Sequence, residues 1–96
     1  MPRETQNSIT QWAPTTFGAP DKPERIVARL NEEFAELIEA ALLGGDVEKE
    51  AADVLVVLYQ VAAAYGFDLH DATDNKMTVN RNRPWKVGPG GVGQHV

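Results

Sequence analysis

Four acids in this sequence are spaced to converge on one point: Glu33 and Glu36, then Glu50 and Asp53. Helix positions three apart lie on one side about one turn apart, so each pair presents its carboxylates together. Gly44 and Gly45 stand between the pairs, where a helix stops and the chain reverses. Two such pairs on neighbouring antiparallel helices form an all-oxygen donor set. Oxygen donors select Mg²⁺ or Mn²⁺ over Zn²⁺ or Cu²⁺, and hard cations held by carboxylates commonly serve to hold phosphate. A single Glu-x-x-Glu is ordinarily a solvated helix face; its duplication across a tight turn is what points to a metal site. Other chemistries find no footing. The chain has no cysteine, which removes disulfides and thiolate zinc. A carboxylate-bridged di-iron bundle wants Glu three residues before His, but Phe67 precedes His70 and Val92 precedes His95. No Ser/His/Asp or Cys/His constellation is visible.

The elements that must position these acids are helices. Asp21-Lys22-Pro23-Glu24 reads as a helix start, with Asp21 as N-cap, Pro23 in the tolerant first turn and Glu24 in the capping-box position. Ile26, Val27, Leu30, Phe34, Leu37, Ile38, Ala41 and Leu42 then form a helical apolar stripe. At about 100° per residue, Glu32 and Glu39 fall opposite that stripe, on the solvated face. Glu33 and Glu36 fall on its shoulder.

Asp46 caps the next helix, which runs toward Gly66 and is apolar nearly all round from Val54. Such a helix is buried on most sides, and a chain this short has too few elements to surround it. A homo-oligomer is therefore expected. On this helix Glu50, Asp53, Val57, Gln60 and Ala64 share one stripe. Carboxylates entering a buried helix cost several kcal/mol unless paired; metal ions would pair them.

Asp68 caps a last helix, expected to reach about Arg83 before Pro84 stops it. Its inward stripe carries Leu69, Ala72, Lys76, Val79, Asn80 and Arg83, a face suited to an anion. At the N-terminus, residues 1–6 read as a disordered lead-in, and Pro14 argues for a short helix or two turns rather than one continuous helix. Trp12 and Phe17 there are candidates for core packing or for stacking on a ligand. Residues 86–96, with four glycines and a proline, read as a flexible tail. The division is thus 1–20, 21–85 and 86–96, in an all-α fold: a small antiparallel bundle of three main helices plus a short N-terminal one, completed by oligomerisation.

Composition bounds the partners. Ninety-six residues suffice for one domain. All fourteen acids lie at or before Asp74, whereas the last four bases, Lys76, Arg81, Arg83 and Lys86, have no acid among them. An acidic chain, of net charge −5, lacks the broad basic face a nucleic-acid duplex needs. No apolar run is long enough to span a membrane, so a soluble, cytoplasmic protein without nucleic-acid or membrane partners is expected.

The sequence also resembles a family. Glu33-x-x-Glu36, then Glu50-x-x-Asp53, is similar to the ExxE…ExxD signature of the MazG-like all-α nucleoside triphosphate pyrophosphohydrolases. Lys76-Met77-Thr78-Val79-Asn80-Arg81-Asn82-Arg83 resembles the K-M-x-x-N-R-x-R segment that follows it, and Gly66-Phe67-Asp68-Leu69 the turn between. The resemblance implies Mg²⁺, with Mn²⁺ as substitute, on Glu33, Glu36, Glu50 and Asp53. It further implies triphosphate contacts from Lys76, Asn80 and Arg83, and a base-stacking aromatic at Trp12 or Phe17. The implied reaction converts a (d)NTP to (d)NMP and pyrophosphate in a homodimer or dimer of dimers. Two alternatives stay open: a phosphoribosyl-ATP pyrophosphohydrolase, and a non-catalytic oligomerisation or partner-binding module in which Lys76, Asn80 and Arg83 pair structurally with the acids.

Overall fold

A computed structural model describes residues 2–95. Helix α1 spans Gln6–Phe17, α2 Glu24–Leu43, α3 Val47–Ala64 and α4 Leu69–Arg81. Two short strands follow, β1 Trp85–Val87 and β2 Gly93–His95. Among the described residues no single helix is long and apolar enough to cross a membrane.

α2 and α3 form the hairpin that carries the acids. Gly44 ends α2 with φ 74°, and its N–H and that of Gly45 both reach Ala40 O. That left-handed conformation suits glycine, and it frees the chain to turn within two residues. Asp46 then starts α3, its Oδ1 accepting from Lys49 N at 3.0 Å. Asp46→Ala is expected to cost about 1 kcal/mol, read as a lower urea midpoint with unchanged slope.

α3 is the central element. It packs along α2 and α1, and Ala13, Ala40, Val54, Val57, Tyr59 and Ala62 form the buried core. That core is small-sided. The larger apolar residues of α2 remain on the surface, with Ile38 59% and Leu42 78% exposed.

Several local expectations are corrected. α1 is one helix through Pro14: two turns precede the proline, so only one ladder bond is lost, and Thr15 Oγ1 donates to Trp12 O at 2.7 Å nearby. It begins at Gln6, inside the expected lead-in of residues 1–6, because Thr5 and Ser8 form a reciprocal capping box. Gln6 is ordered rather than loose. Its Nε2 donates to Phe67 O and its Oε1 accepts from Leu69 N, both at 2.8 Å, clipping α1 to the α3–α4 turn. Met1 lies outside the described residues. α2 starts at Glu24 with no side-chain cap, since Asp21 pairs with Arg25 one turn on.

α4 leaves α3 at 96° and is held at its start, where Asp68 caps Asp71 N and Tyr59 Oη meets His70 Nε2 at 2.8 Å. It ends at Arg81, short of the expected Arg83, capped by Asn82. The glycine-rich tail is not featureless: β1 and β2 pair antiparallel, Trp85 opposite His95 and Val87 opposite Gly93, around a turn at Pro89–Gly91. Trp85 Nε1 donates to Asn80 O at 2.7 Å, fastening the hairpin to the end of α4.

Candidate metal centre and adjoining cleft

The hairpin brings all four predicted acids together. Glu33 and Glu36 from α2 and Glu50 and Asp53 from α3 each offer an oxygen, and these atoms lie within 4.8 Å of one another. Glu33 is buried, 8% exposed, Glu50 and Asp53 are half-buried, and Glu36 is open to solvent. Glu32 and Glu39 are exposed, as their helical phase dictates. Beside Glu36 and Glu50 a shallow cavity of about 280 Å³ opens, floored by Ala40 and Gly45.

The electrostatics of the cluster are unfavourable by themselves. Burial raises the Glu33 carboxyl above the usual range, the Glu36 and Asp53 carboxylates raise it further, and Arg29 offsets this only in part. Arg29 Nε stands 3.6 Å from Glu33 Oε1, beyond good hydrogen-bond length. Glu33 Oε2 and Glu50 Oε2 are buried with no hydrogen-bond partner. Four acids in contact with two orphaned oxygens suit a hard cation: the donors are all oxygen, and a positive charge would satisfy both the orphans and the repulsion.

The other predicted residues are placed differently. Asn80 and Arg83 are half-buried on α4, while Lys76 is exposed. Among the described residues no hydrogen bond or ion pair joins Lys76 or Asn80 to the four acids; Asn80 Nδ2 reaches Met77 Sδ at 3.9 Å, and its Oδ1 is buried without a partner there. Trp12 stands edge-to-face on Phe17, with centroids 5.1 Å apart. It borders a cavity with Glu4, Ile9 and Val56, whereas Phe17 faces the cleft between α1, α2 and α3.

Residues 21–86 match the MazG nucleotide pyrophosphohydrolase domain. The chain belongs to the MazG family. It is 36% identical over 94 residues to a dATP/dGTP diphosphohydrolase of Salmonella phage PMBT28, covering 97% of this chain and 31% of that protein. It is 32% identical over 93 residues to the dATP/dGTP diphosphohydrolase of Cyanophage S-2L, covering 97% and 86% respectively. The chain thus spans under a third of the first relative and most of the second. Among solved structures, the S-2L MazG-like pyrophosphohydrolase bound to dGDP and three catalytic Mn²⁺ ions per active site aligns with TM-score 0.74 and 31% identity, over 95% of this chain and 91% of that one.

One residue of this MazG centre escaped the reading of the sequence. Arg29 links the acids to the cleft: it faces Glu33, its guanidinium carbon lies 5.4 Å from the Phe17 ring centroid, and it lines the cleft with Ile26 and Gln60. Its position four before Glu33 was the available signal. What the sequence could not reveal is that Phe17 folds back to meet it.

Proposed function

We propose that this chain is a divalent-cation-dependent nucleoside triphosphate pyrophosphohydrolase acting on purine deoxynucleotides, dATP and dGTP foremost. The observation that carries this reading is the convergence of Glu33, Glu36, Glu50 and Asp53 within 4.8 Å, with two of their oxygens buried and unpartnered. The substrate class is supported by the two dATP/dGTP diphosphohydrolases it resembles and by the dGDP and Mn²⁺ of the S-2L structure.

In the reaction a water oxygen bonds to the α-phosphorus, the α–β bridging bond breaks, and pyrophosphate and deoxynucleoside monophosphate leave. Mg²⁺ or Mn²⁺ held by the four acids would supply charge neutralisation and Lewis acidity. The chain's own contribution is positional. The α2–α3 hairpin presents the carboxylates from two rigid helices, and Arg29 brings a fixed positive charge to the edge of the centre. Lys76, Asn80 and Arg83 serve as donors to phosphoryl oxygens.

The working form we propose is a homodimer or a dimer of dimers. Val27, Phe34, Ile38 and Leu42 are all at least 41% exposed along α2, an apolar stripe of the kind that marks an interface. The non-catalytic alternative has Lys76, Asn80 and Arg83 paired with the acids; among the described residues neither Lys76 nor Asn80 is so paired, which favours the catalytic reading. The phosphoribosyl-ATP alternative shares the chemistry and differs in the base, so a substrate panel separates them.

With Mg²⁺ or Mn²⁺, dATP and dGTP are expected to yield pyrophosphate and monophosphate in equal amounts, and EDTA to abolish both. Orthophosphate in place of pyrophosphate would contradict the proposal.

A further inference from the structure

Resting on that proposed activity, we infer that Gln60 reads the edge of the purine, and that rotation of its amide lets one pocket accept both adenine and guanine. A cleft of about 330 Å³ lies between α1, the turn before α2, and α3; its walls include Ala13, Pro14, Ile26, Ala63 and Ala64. That is the lower end of ligand-pocket volumes, and the make-up is typical of one: apolar walls with few polar groups. Among the described residues only two polar side chains line it, Thr10 and Gln60. Thr10 has committed its proton to Gln6 O at 2.7 Å, so Gln60 is the only side chain there with donors to offer.

Gln60 is otherwise hard to account for. It interrupts the apolar half of α3, is half-buried, and its amide makes one weak bond, Nε2 to Val56 O at 3.3 Å within its own helix. Among the described residues nothing donates to its Oε1. A methionine or leucine would pack in its place without the cost of burying an amide.

The cleft approaches the acids through one residue, Arg29. Gln60 borders a second lobe together with Phe17, Ile26 and Arg29, and Arg29 reaches Glu33. Gln60 also follows Asp53 by seven residues on the same face of α3, about 10 Å along the axis, the span of one nucleoside. Phosphates anchored at the acids therefore leave the base facing Gln60.

The chemistry of the amide then sets the preference. An amide offers one donor and one acceptor side by side. Adenine presents N6–H and N1, a donor and an acceptor; guanine presents O6 and N1–H, the same pair in reverse order. Turning the Gln60 amide by a half-rotation matches either base without moving the backbone. A pyrimidine carries similar pairs, but on the same sugar its edge stops one ring short.

The test is binding of dADP and dGDP in Mn²⁺, measured by calorimetry on the full chain and on Gln60→Glu and Gln60→Met. A carboxylate can only accept, so Gln60→Glu is expected to keep dGDP, through N1–H and N2–H, and to lose dADP, shifting the affinity ratio at least about tenfold. Gln60→Met is expected to weaken both by similar factors. Unchanged affinities in both variants, an unchanged ratio in Gln60→Glu, or no binding of either nucleotide by the parent chain would overturn the inference. The readout is independent of turnover: a shifted ratio in a chain that releases no pyrophosphate would uphold the role of Gln60 and sink the hydrolytic activity instead.

Discussion

Glu50→Gln and Asp53→Asn should each reduce pyrophosphate release by at least about a hundredfold, while the helical circular dichroism stays that of the parent chain. Both residues leave the first two turns of α3 toward the acids of α2, and neither belongs to the buried core of Ala40, Val54, Val57 and Ala62. Each replacement preserves side-chain volume and exchanges one anionic oxygen for an amide that repels a cation. Loss of activity would therefore come from the donor set rather than from the fold. The control is Glu32→Gln, on an exposed acid of the same helix as Glu33, which is expected to leave turnover close to that of the parent. Near-parental turnover in Asp53→Asn would remove the four-acid centre as the site of chemistry.

How much of this was legible beforehand depended on whether the signal was local. The acid pairs and the glycine turn between them are local: three-residue spacing and a left-handed glycine define the α2–α3 hairpin, and the centre followed from it. Asp46 and Asp68 were legible for the same reason, since an N-cap bonds within its own first turn. The failures are partners that residue type alone does not reveal. Gln6 looked like part of a loose terminus because its partners, Phe67 O and Leu69 N, lie more than sixty residues away. Asp21 was a plausible cap on type alone, yet its carboxylate is taken by Arg25. The tail's glycines suggested freedom, whereas a tryptophan anchored on Asn80 O and a paired strand give residues 85–95 a shape. Arg29 and Gln60 were single residues on helix faces, and only the folded cleft gives them a common neighbour in Phe17.

Glu33→Gln should divide stability from function more sharply than any other substitution in this chain. In the metal-free protein the folded state holds the Glu33 proton to a higher pH than the unfolded chain does, because burial and the neighbouring carboxylates disfavour its charge. As pH rises through the unfolded value, about 4.3, the unfolded chain releases its proton first and the folded state loses relative stability. The loss is complete above the folded-state pKa. A glutamine in the same place has no proton to lose. With EDTA at pH 8 and fixed protein concentration, Glu33→Gln is therefore expected to melt higher than the parent. Relief of an unpaired buried polar group of about 1 kcal/mol corresponds to roughly 4–8 °C for a domain of this size. The advantage should shrink toward pH 4, where the parent carboxyl is protonated in both states. Mn²⁺ should invert the order: at a hundredfold excess over its Kd it adds about 2.7 kcal/mol to the parent, whereas the variant, short of one anionic ligand, gains far less and releases no pyrophosphate. If the parent melts higher than Glu33→Gln in EDTA at pH 8, the Arg29 ion pair outweighs the desolvation of Glu33, and the acids form a structural bridge rather than a centre held ready for a cation.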